Sequence, residues 1–113
     1  MAAAPLQIDI VTIFPRMLDS ILGESILKRA QEAGLVQIRC VNLRDFATGA
    51  HLTTDDRPYG GGPGMVMGLP TLVSALRSLP RPGRMLMLSP AGRPLSQRFA
   101  AELAGEEALT LLC

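Results

Sequence analysis

Apolar residues follow the period of a strand in some segments of the chain and that of a helix in others. Residues 7–14 (QIDIVTIF) are rich in β-branched side chains, with Asp9 as the only charge, and predict a buried strand. Pro15 ends this strand and suits the first turn of a helix. From residue 16 to residue 33, apolar side chains recur every three or four positions. This pattern predicts one amphipathic helix, with Gly34 just beyond its end.

The rest of the chain continues the alternation of strands and helices. Three further strands are expected, at residues 36–43, 84–89 and 108–113. Two further helices are expected, at residues 70–79 and 97–104, the second with Ser96 as its N-cap. This order predicts an α/β fold with a parallel sheet flanked by helices. Ligands of such sheets bind beyond the carboxyl ends of the strands.

Composition and charge narrow the class of protein. The chain has 113 residues, the size of one domain, and its 48% apolar content excludes a disordered protein. A net charge of +1 argues against nucleic-acid binding through a broad, positively charged surface. Lys28 is the only lysine, and five arginines lie close together in the second half: Arg77, Arg81, Arg84, Arg93 and Arg98. Arginine suits phosphate recognition, but genome composition alone also explains such an enrichment and is the favoured interpretation of this cluster.

The cysteines and methionines give expectations about burial, and the longest apolar runs give an expectation about cellular location. Cys40 and Cys113 are too few for a disulfide framework and lack metal-ligand spacing, so buried free thiols are expected. The methionines, among them Met85 and Met87, are expected to fill the core. No apolar run reaches the eighteen or so residues of a membrane span. A soluble cytoplasmic protein without a membrane partner follows as the expectation.

The segment at residues 55–67 (DDRPYGGGPGMVM) is the most unusual part of the chain. Its four glycines allow backbone angles that other residues avoid, which suits an awkward turn or a binding loop. It does not match the phosphate-binding loop, which needs a lysine, or the spacing of the dinucleotide-binding glycines. His51, the only histidine, precedes it and is either a solvated residue or a group for phosphate contact or proton transfer.

Two other features leave alternatives open. Residues 88–92 (LSPAG) form a strand-end turn that is either a plain connection or part of a ligand site. Asp9 is either a strand-edge residue or a buried partner for a backbone amide. The chain contains no serine-histidine-aspartate set, no HExxH and no cysteine nucleophile beside a histidine. The residues alone therefore predict an α/β protein with a candidate binding loop, but they do not indicate a reaction.

Three motifs together carry a resemblance to a known family. They are IFPRML, NLRDFATGAHLTTDDRPYGGGPGMVM and LSPAGRPLSQ. With them the chain resembles, from about residue 8 to residue 113, the bacterial tRNA (guanine-N1)-methyltransferases that modify guanine 37 beside the anticodon. The resemblance implies a knotted, SPOUT-type α/β methyltransferase domain with S-adenosylmethionine as cofactor and tRNA as partner. It also implies a homodimer with its active site between the subunits.

The resemblance also implies roles for particular residues. Cofactor contacts are expected from Met87, Leu88, Ser89, Pro90, Gly92, Pro63 and Gly64. Contacts to tRNA are expected from His51, Asp55, Asp56, Arg57 and Tyr59. The chain departs from the family at Met87, where tyrosine is frequent, and at Ala91, where glutamine is frequent.

No catalytic residue and no metal ligand is expected within these 113 residues. They are expected to be the N-terminal part of the cofactor-binding domain, truncated before the knot is completed and without the helical C-terminal domain. Such a fragment is expected to be inactive alone. The alternative is a non-enzymatic α/β module that binds a nucleotide or RNA through the same glycine-rich loop, and for which the chain is complete.

Overall fold

A computed structural model describes residues 4–46, 55–56, 66–67 and 69–113 of the chain. Its strands are β1 (Leu6–Thr12), β2 (Val36–Asn42), β3 (Asp55–Asp56), β4 (Val66–Met67), β5 (Arg84–Met87) and β6 (Ala108–Leu112). Its helices are α1 (Arg16–Leu22), α2 (Ser25–Glu32), α3 (Leu69–Arg77) and α4 (Gln97–Ala104), with a 3₁₀ turn at Leu43–Phe46. None of these helices is long and apolar enough to cross a membrane.

Four parallel strands form the main sheet, in the order β2, β1, β6, β5. Asp9 of β1 pairs with Arg39 on one side and with Thr110 on the other, and Leu86 of β5 pairs with Leu111. β3 and β4 form a separate antiparallel pair. The predicted α/β fold with a parallel sheet is confirmed, and β1 and β6 are its two central strands.

The buried core lies on one face of this sheet. Val11 and Leu112 are paired across β1 and β6, so their side chains point to the same face. Helix α3 and the 3₁₀ turn cover that face, and the core cluster consists of Val11, Leu43, Ala75, Leu79 and Leu112. Leu43 and Ala75 are fully buried. The apolar spacing of α3 thus corresponds to a face that packs on the sheet.

The predicted helix at residues 16–33 is in fact two helices, and that prediction was wrong. Gly23 ends α1, where its N–H donates to the Asp19 carbonyl at 3.1 Å. Glu24 then adopts an extended backbone, and Ser25 has a φ of 54° at the start of α2. An extended residue followed by a left-handed one interrupts the helical hydrogen bonds, although the apolar pattern continues across the break.

The structure also corrects three expectations about burial. Met85 and Met87 are 46% and 70% exposed, because the described residues leave their side of β5 uncovered. They therefore do not fill the core. Cys113 is exposed as well, whereas Cys40 is partly buried.

Asp9 matches neither role considered for it. It lies in a central strand and is fully buried, so it is not a strand-edge residue. Its Oδ1 accepts a hydrogen bond from the Nε of Arg39 at 3.0 Å, so its partner is a side chain and not a backbone amide. The pairing of Asp9 with Arg39 in the sheet register brings the two side chains to the same face.

Candidate functional site

A tight turn follows β5 at the carboxyl edge of the sheet. The Gly92 N–H donates to the Ser89 carbonyl at 3.1 Å, which closes a four-residue turn over residues 89–92. Pro90 occupies the second position, where its fixed φ favours turn formation. The Ala91 N–H donates to the Ser89 Oγ at 3.2 Å. Ser89 therefore stabilises the turn through both its carbonyl and its hydroxyl.

Backbone hydrogen bonds place this turn beside the ends of the central strands. The Leu88 N–H donates to the Leu112 carbonyl at 3.1 Å, which extends the β5–β6 pairing by one residue. The Cys113 N–H donates to the Val11 carbonyl, also at 3.1 Å. The carboxyl ends of β5, β6 and β1 thus lie side by side along the edge of the sheet that carries the turn, which is where a parallel α/β sheet binds its ligands.

An apolar cavity of about 650 Å³ opens next to the turn. It is lined by Leu86, Met87, Leu88, Ser89, Gly92, Arg93, Leu95, Phe99, Leu103, Leu109 and Leu111. Leu86 and Leu111 pair across β5 and β6 on the sheet face opposite the core, and α4 provides the facing wall. Its volume and apolar lining are typical of sites for small organic ligands.

A second cavity of similar size, about 640 Å³, has a different chemical character. It lies where β5 and β6 begin and is lined by Arg81, Gly83, Arg84, Glu106, Glu107 and Ala108. The Arg81 Nη2 and a Glu107 carboxylate oxygen are 2.8 Å apart. Because this charged cavity is at the amino edge of the sheet, the apolar cavity is the stronger candidate for a ligand site.

The arginine cluster of the second half is largely engaged with glutamates. Arg81 pairs with Glu107, and both Arg84 and Arg93 pair with Glu102. These carboxylates offset the positive charge that a phosphate would need. Among the described residues, Arg77 and Arg98 have no carboxylate within ion-pair distance.

Five of the seven residues predicted to contact the cofactor lie at the turn and the apolar cavity. Met87, Leu88, Ser89 and Gly92 all line the apolar cavity, and Pro90 lies in the turn itself.

Pro63 and Gly64 lie outside the residues that the structure describes, as do His51, Arg57 and Tyr59 from the predicted tRNA contacts. Asp55 and Asp56 form β3, paired with β4, and only their backbone is described.

The far wall of the cavity consists of residues that were not predicted from the sequence as site residues. Phe99 and Leu103 are four residues apart on α4 and therefore share one face, and Leu109 and Leu111 alternate along β6. These two periodicities were a usable signal for which residues face each other. They did not reveal a gap between the two faces, because that depends on how closely α4 approaches the sheet.

Among the described residues, the Cys40 thiol has a perturbed pKa. Burial raises the pKa of the Cys40 thiol, and the nearby Asp19 and Cys113 raise it further. The neutral thiol is therefore favoured, which is the unreactive form. In the described parts of the chain, no three histidine, cysteine, aspartate or glutamate side chains are grouped to hold a metal ion.

Comparisons with known proteins identify the family. The model of the family described as "tRNA (Guanine-1)-methyltransferase TrmD" matches residues 6–113. The tRNA (guanine-N(1)-)-methyltransferase of Oleidesulfovibrio alaskensis is 52% identical over 108 residues, which cover 96% of this chain and 25% of that protein. The corresponding protein of Pelotomaculum thermopropionicum is 50% identical over 113 residues, covering 96% of this chain and 45% of that protein.

A solved structure shows the same fold. The crystal structure of tRNA (m1G37) methyltransferase from Aquifex aeolicus matches with a TM-score of 0.85 and 32% identity. The match covers 96% of this chain and 50% of that one. The α/β fold is therefore of the SPOUT type, and the chain spans a quarter to a half of the length of these relatives.

Proposed function

This chain belongs to the tRNA (guanine-1)-methyltransferase family, and on that basis we propose that it forms part of an enzyme that methylates N1 of guanine 37 in tRNA. The methyl donor in this proposal is S-adenosylmethionine. The 113 residues contribute the first part of the donor-binding domain, and the methylated guanine, next to the anticodon, helps to maintain the reading frame.

The observation that carries the proposal is the apolar cavity beside the turn at residues 89–92. A donor with a flat adenine ring and a charged sulfonium needs an apolar slot next to polar backbone groups. The leucines of β5 and β6 supply the slot, and the turn supplies the backbone groups. Among the residues that line the cavity, Met87, Leu88, Ser89 and Gly92 are the proposed donor contacts.

The methyl-transfer reaction determines which groups the protein must provide. S-adenosylmethionine supplies a methyl group on a positively charged sulfur. N1 of neutral guanine carries a proton, which a general base must remove for N1 to attack that methyl group. No residue of this chain is assigned as the base. Its own contribution is to orient the donor at the turn and to keep water from the cavity through Leu86, Leu109 and Leu111.

The glycine-rich loop is proposed to contact the tRNA and the donor. Arg57 would hold phosphates, while His51, Asp55, Asp56 and Tyr59 would orient the anticodon stem and loop. Gly64 would let the backbone approach the donor closely, and Pro63 beside it would be a further contact. In this proposal the working enzyme is a homodimer in the cytoplasm, with each site completed by a second subunit.

Calorimetric titration of S-adenosylmethionine tests the donor site. We compare the 113-residue chain with a version that carries the further length found in its relatives. Binding by the longer version only would show that the site needs residues beyond this chain. Binding by both would show that the turn and cavity form a site unaided. Absence of binding by both would contradict the proposal and favour a non-enzymatic nucleotide- or RNA-binding module.

Methyl transfer tests the reaction itself. The longer version is expected to label a tRNA transcript with guanine at position 37, and not the same transcript with adenine there. Replacing Gly64 by valine in that version is expected to lower transfer at least tenfold, because a β-branched side chain blocks close backbone approach. An unchanged unfolding curve is the control. Unchanged transfer by Gly64→Val would contradict the role given to the loop.

A further inference from the structure

Four side chains form a cluster to which the proposed function assigns no role, and two of them, Arg93 and Phe99, line the apolar cavity. The Cζ of Arg93 lies 3.8 Å from the centroid of the Phe99 ring, and the Cζ of Arg84 lies 5.4 Å from it. Glu102 Oε2 accepts a hydrogen bond from Arg84 Nη1 at 3.0 Å and lies 3.6 Å from Arg93 Nη2. We call Arg84, Arg93, Phe99 and Glu102 the arginine clamp.

The arginine clamp joins three separate elements. Arg84 is the first residue of β5, Arg93 directly follows the turn, and Phe99 and Glu102 lie three residues apart on one face of α4. The proposed donor contacts lie on β5 and the turn. The segment that carries them is therefore tied to α4 at its beginning, through Arg84, and at its end, through Arg93. The segment between the two arginines contains Met87, Leu88, Ser89 and Gly92.

Other interactions hold the turn only weakly. All residues from 87 to 98 are exposed, so apolar burial does not anchor this segment. The hydrogen bonds at Ser89 fix the internal shape of the turn, and the Leu88 N–H ties its beginning to β6. Beyond Gly92, Arg93 stacks on Phe99 and pairs with Glu102, and further along the segment the Ser96 Oγ accepts a hydrogen bond from the Phe99 N–H at 3.1 Å. Arg93 is thus the residue nearest to the turn that contacts α4 through its side chain.

We propose that the arginine clamp positions the turn at residues 89–92 for the methyl donor, with Arg93 as the positioning residue. This inference rests on the proposed function in that the turn is taken to bind the donor. A planar guanidinium stacked on an aromatic ring limits where Arg93, and hence Gly92 beside it, can lie relative to α4. Exposed ion pairs and stacks add little to global stability, so the clamp acts on local geometry.

The first test measures the turn itself, without any ligand. In the 113-residue chain, Arg93→Met is expected to speed hydrogen exchange at the Ala91 and Gly92 amides about tenfold, while amides of β1 stay unchanged. Arg98→Met is the matched control, because Arg98 is an exposed arginine at the start of α4 and has no carboxylate partner in the described part of the chain. Equal exchange in both variants would overturn the proposal.

The second test measures the donor in the longer version of the protein. Arg93→Met is expected to weaken S-adenosylmethionine binding about fivefold to tenfold with an unchanged unfolding midpoint, and Arg93→Lys to restore only part of it, since lysine keeps the charge without the planar stack. Faster exchange with unchanged affinity would overturn the role toward the donor. If the unsubstituted protein does not bind the donor, the proposed function fails, whereas the exchange result still decides whether the clamp holds the turn.

Discussion

Gly83 lies where the chain that leads into β5 passes close to the first residue of β6. It immediately precedes β5 and has a φ of +58°, a conformation that favours glycine. A Cβ placed on it would be 2.1 Å from the carbonyl oxygen of Ala108, the first residue of β6. The backbones of the two elements therefore approach each other more closely than any side chain allows.

The first prediction is that Gly83→Ala destabilises the fold by about 3 kcal/mol, because steric overlap with backbone adds to the strain of a positive φ. Gly34→Ala is the control: Gly34 also has a positive φ, +75°, but apart from its chain neighbours no atom of the described residues lies within 4 Å of its Cβ position. That variant is expected to lose about 1 kcal/mol. Urea unfolding measures both. Equal losses would show that contact with Ala108 is unimportant.

Asp9 and Arg39 form the only ion pair with a fully buried partner among the described residues. Asp9 Oδ1 has Arg39 as its charged partner, while Oδ2 is buried and has no hydrogen-bond partner within the described structure. The Arg39 side chain is 50% exposed, so water weakens the pair. The carboxylate consequently depends on a single, half-solvated cation.

The second prediction follows from that dependence. Arg39→Met is expected to destabilise the protein by about 1 to 2 kcal/mol, less than for a fully buried pair, because it leaves a buried carboxylate without its cation. Adding Asp9→Asn to Arg39→Met is expected to recover part of the loss, because the buried group is then neutral. A double-mutant cycle by urea unfolding measures the coupling. Additive losses of stability in the double variant would contradict a coupling between Asp9 and Arg39.

The third prediction concerns the two thiols. Because burial, Asp19 and Cys113 raise the pKa of Cys40, its thiolate is scarce at neutral pH, and iodoacetamide is expected to modify the exposed Cys113 several-fold faster. The rate at Cys40 is expected to keep rising with pH above the ordinary thiol pKa, since more thiolate forms. Mass spectrometry of the native chain follows each site, with the urea-unfolded chain as control. Equal native rates would contradict this.

At the scale of elements, strand positions were easier to predict from the sequence than helix boundaries. The apolar pattern predicted all four strands of the parallel sheet and the helices α3 and α4. It missed the break between α1 and α2, because apolar residues continue at helical spacing on both sides of Glu24. The break depends on the backbone angles of Glu24 and Ser25, which side-chain periodicity does not report.

The N-cap of α4 was predicted from the sequence and is confirmed. The Ser96 Oγ accepts a hydrogen bond from the Phe99 N–H at 3.1 Å, at the start of the helix that carries Phe99 and Glu102. The fourth prediction is that Ser96→Ala costs about 1 kcal/mol of stability, while Ser96→Asp, which can still accept that hydrogen bond, costs little. Urea unfolding measures both. Equal losses would show that the cap does not stabilise α4.

At the scale of the whole molecule, the sheet has two edges with different chemistry. The sequence correctly predicted a turn at the carboxyl edge from Ser89, Pro90 and Gly92, but the cavity beside it was beyond sequence reasoning. Its walls come from β5, β6 and α4, and its volume depends on how far the helix lies from the sheet. The partners of Arg84 and Arg93 were missed for the same reason, since Glu102 approaches them only in the folded chain.

The fifth prediction tests which edge holds the methyl donor. In the longer version of the protein, Leu88→Ala at the carboxyl edge is expected to weaken S-adenosylmethionine binding about fivefold to tenfold, since it removes apolar contact of about 1 to 1.4 kcal/mol. Glu107→Gln, in the charged cavity at the amino edge, is expected to leave the affinity unchanged.

Both side chains are largely exposed, so neither change should disturb folding. Loss of binding by Glu107→Gln with none by Leu88→Ala would place the donor at the amino edge, against the rule that parallel strands present their ligand sites at their carboxyl ends.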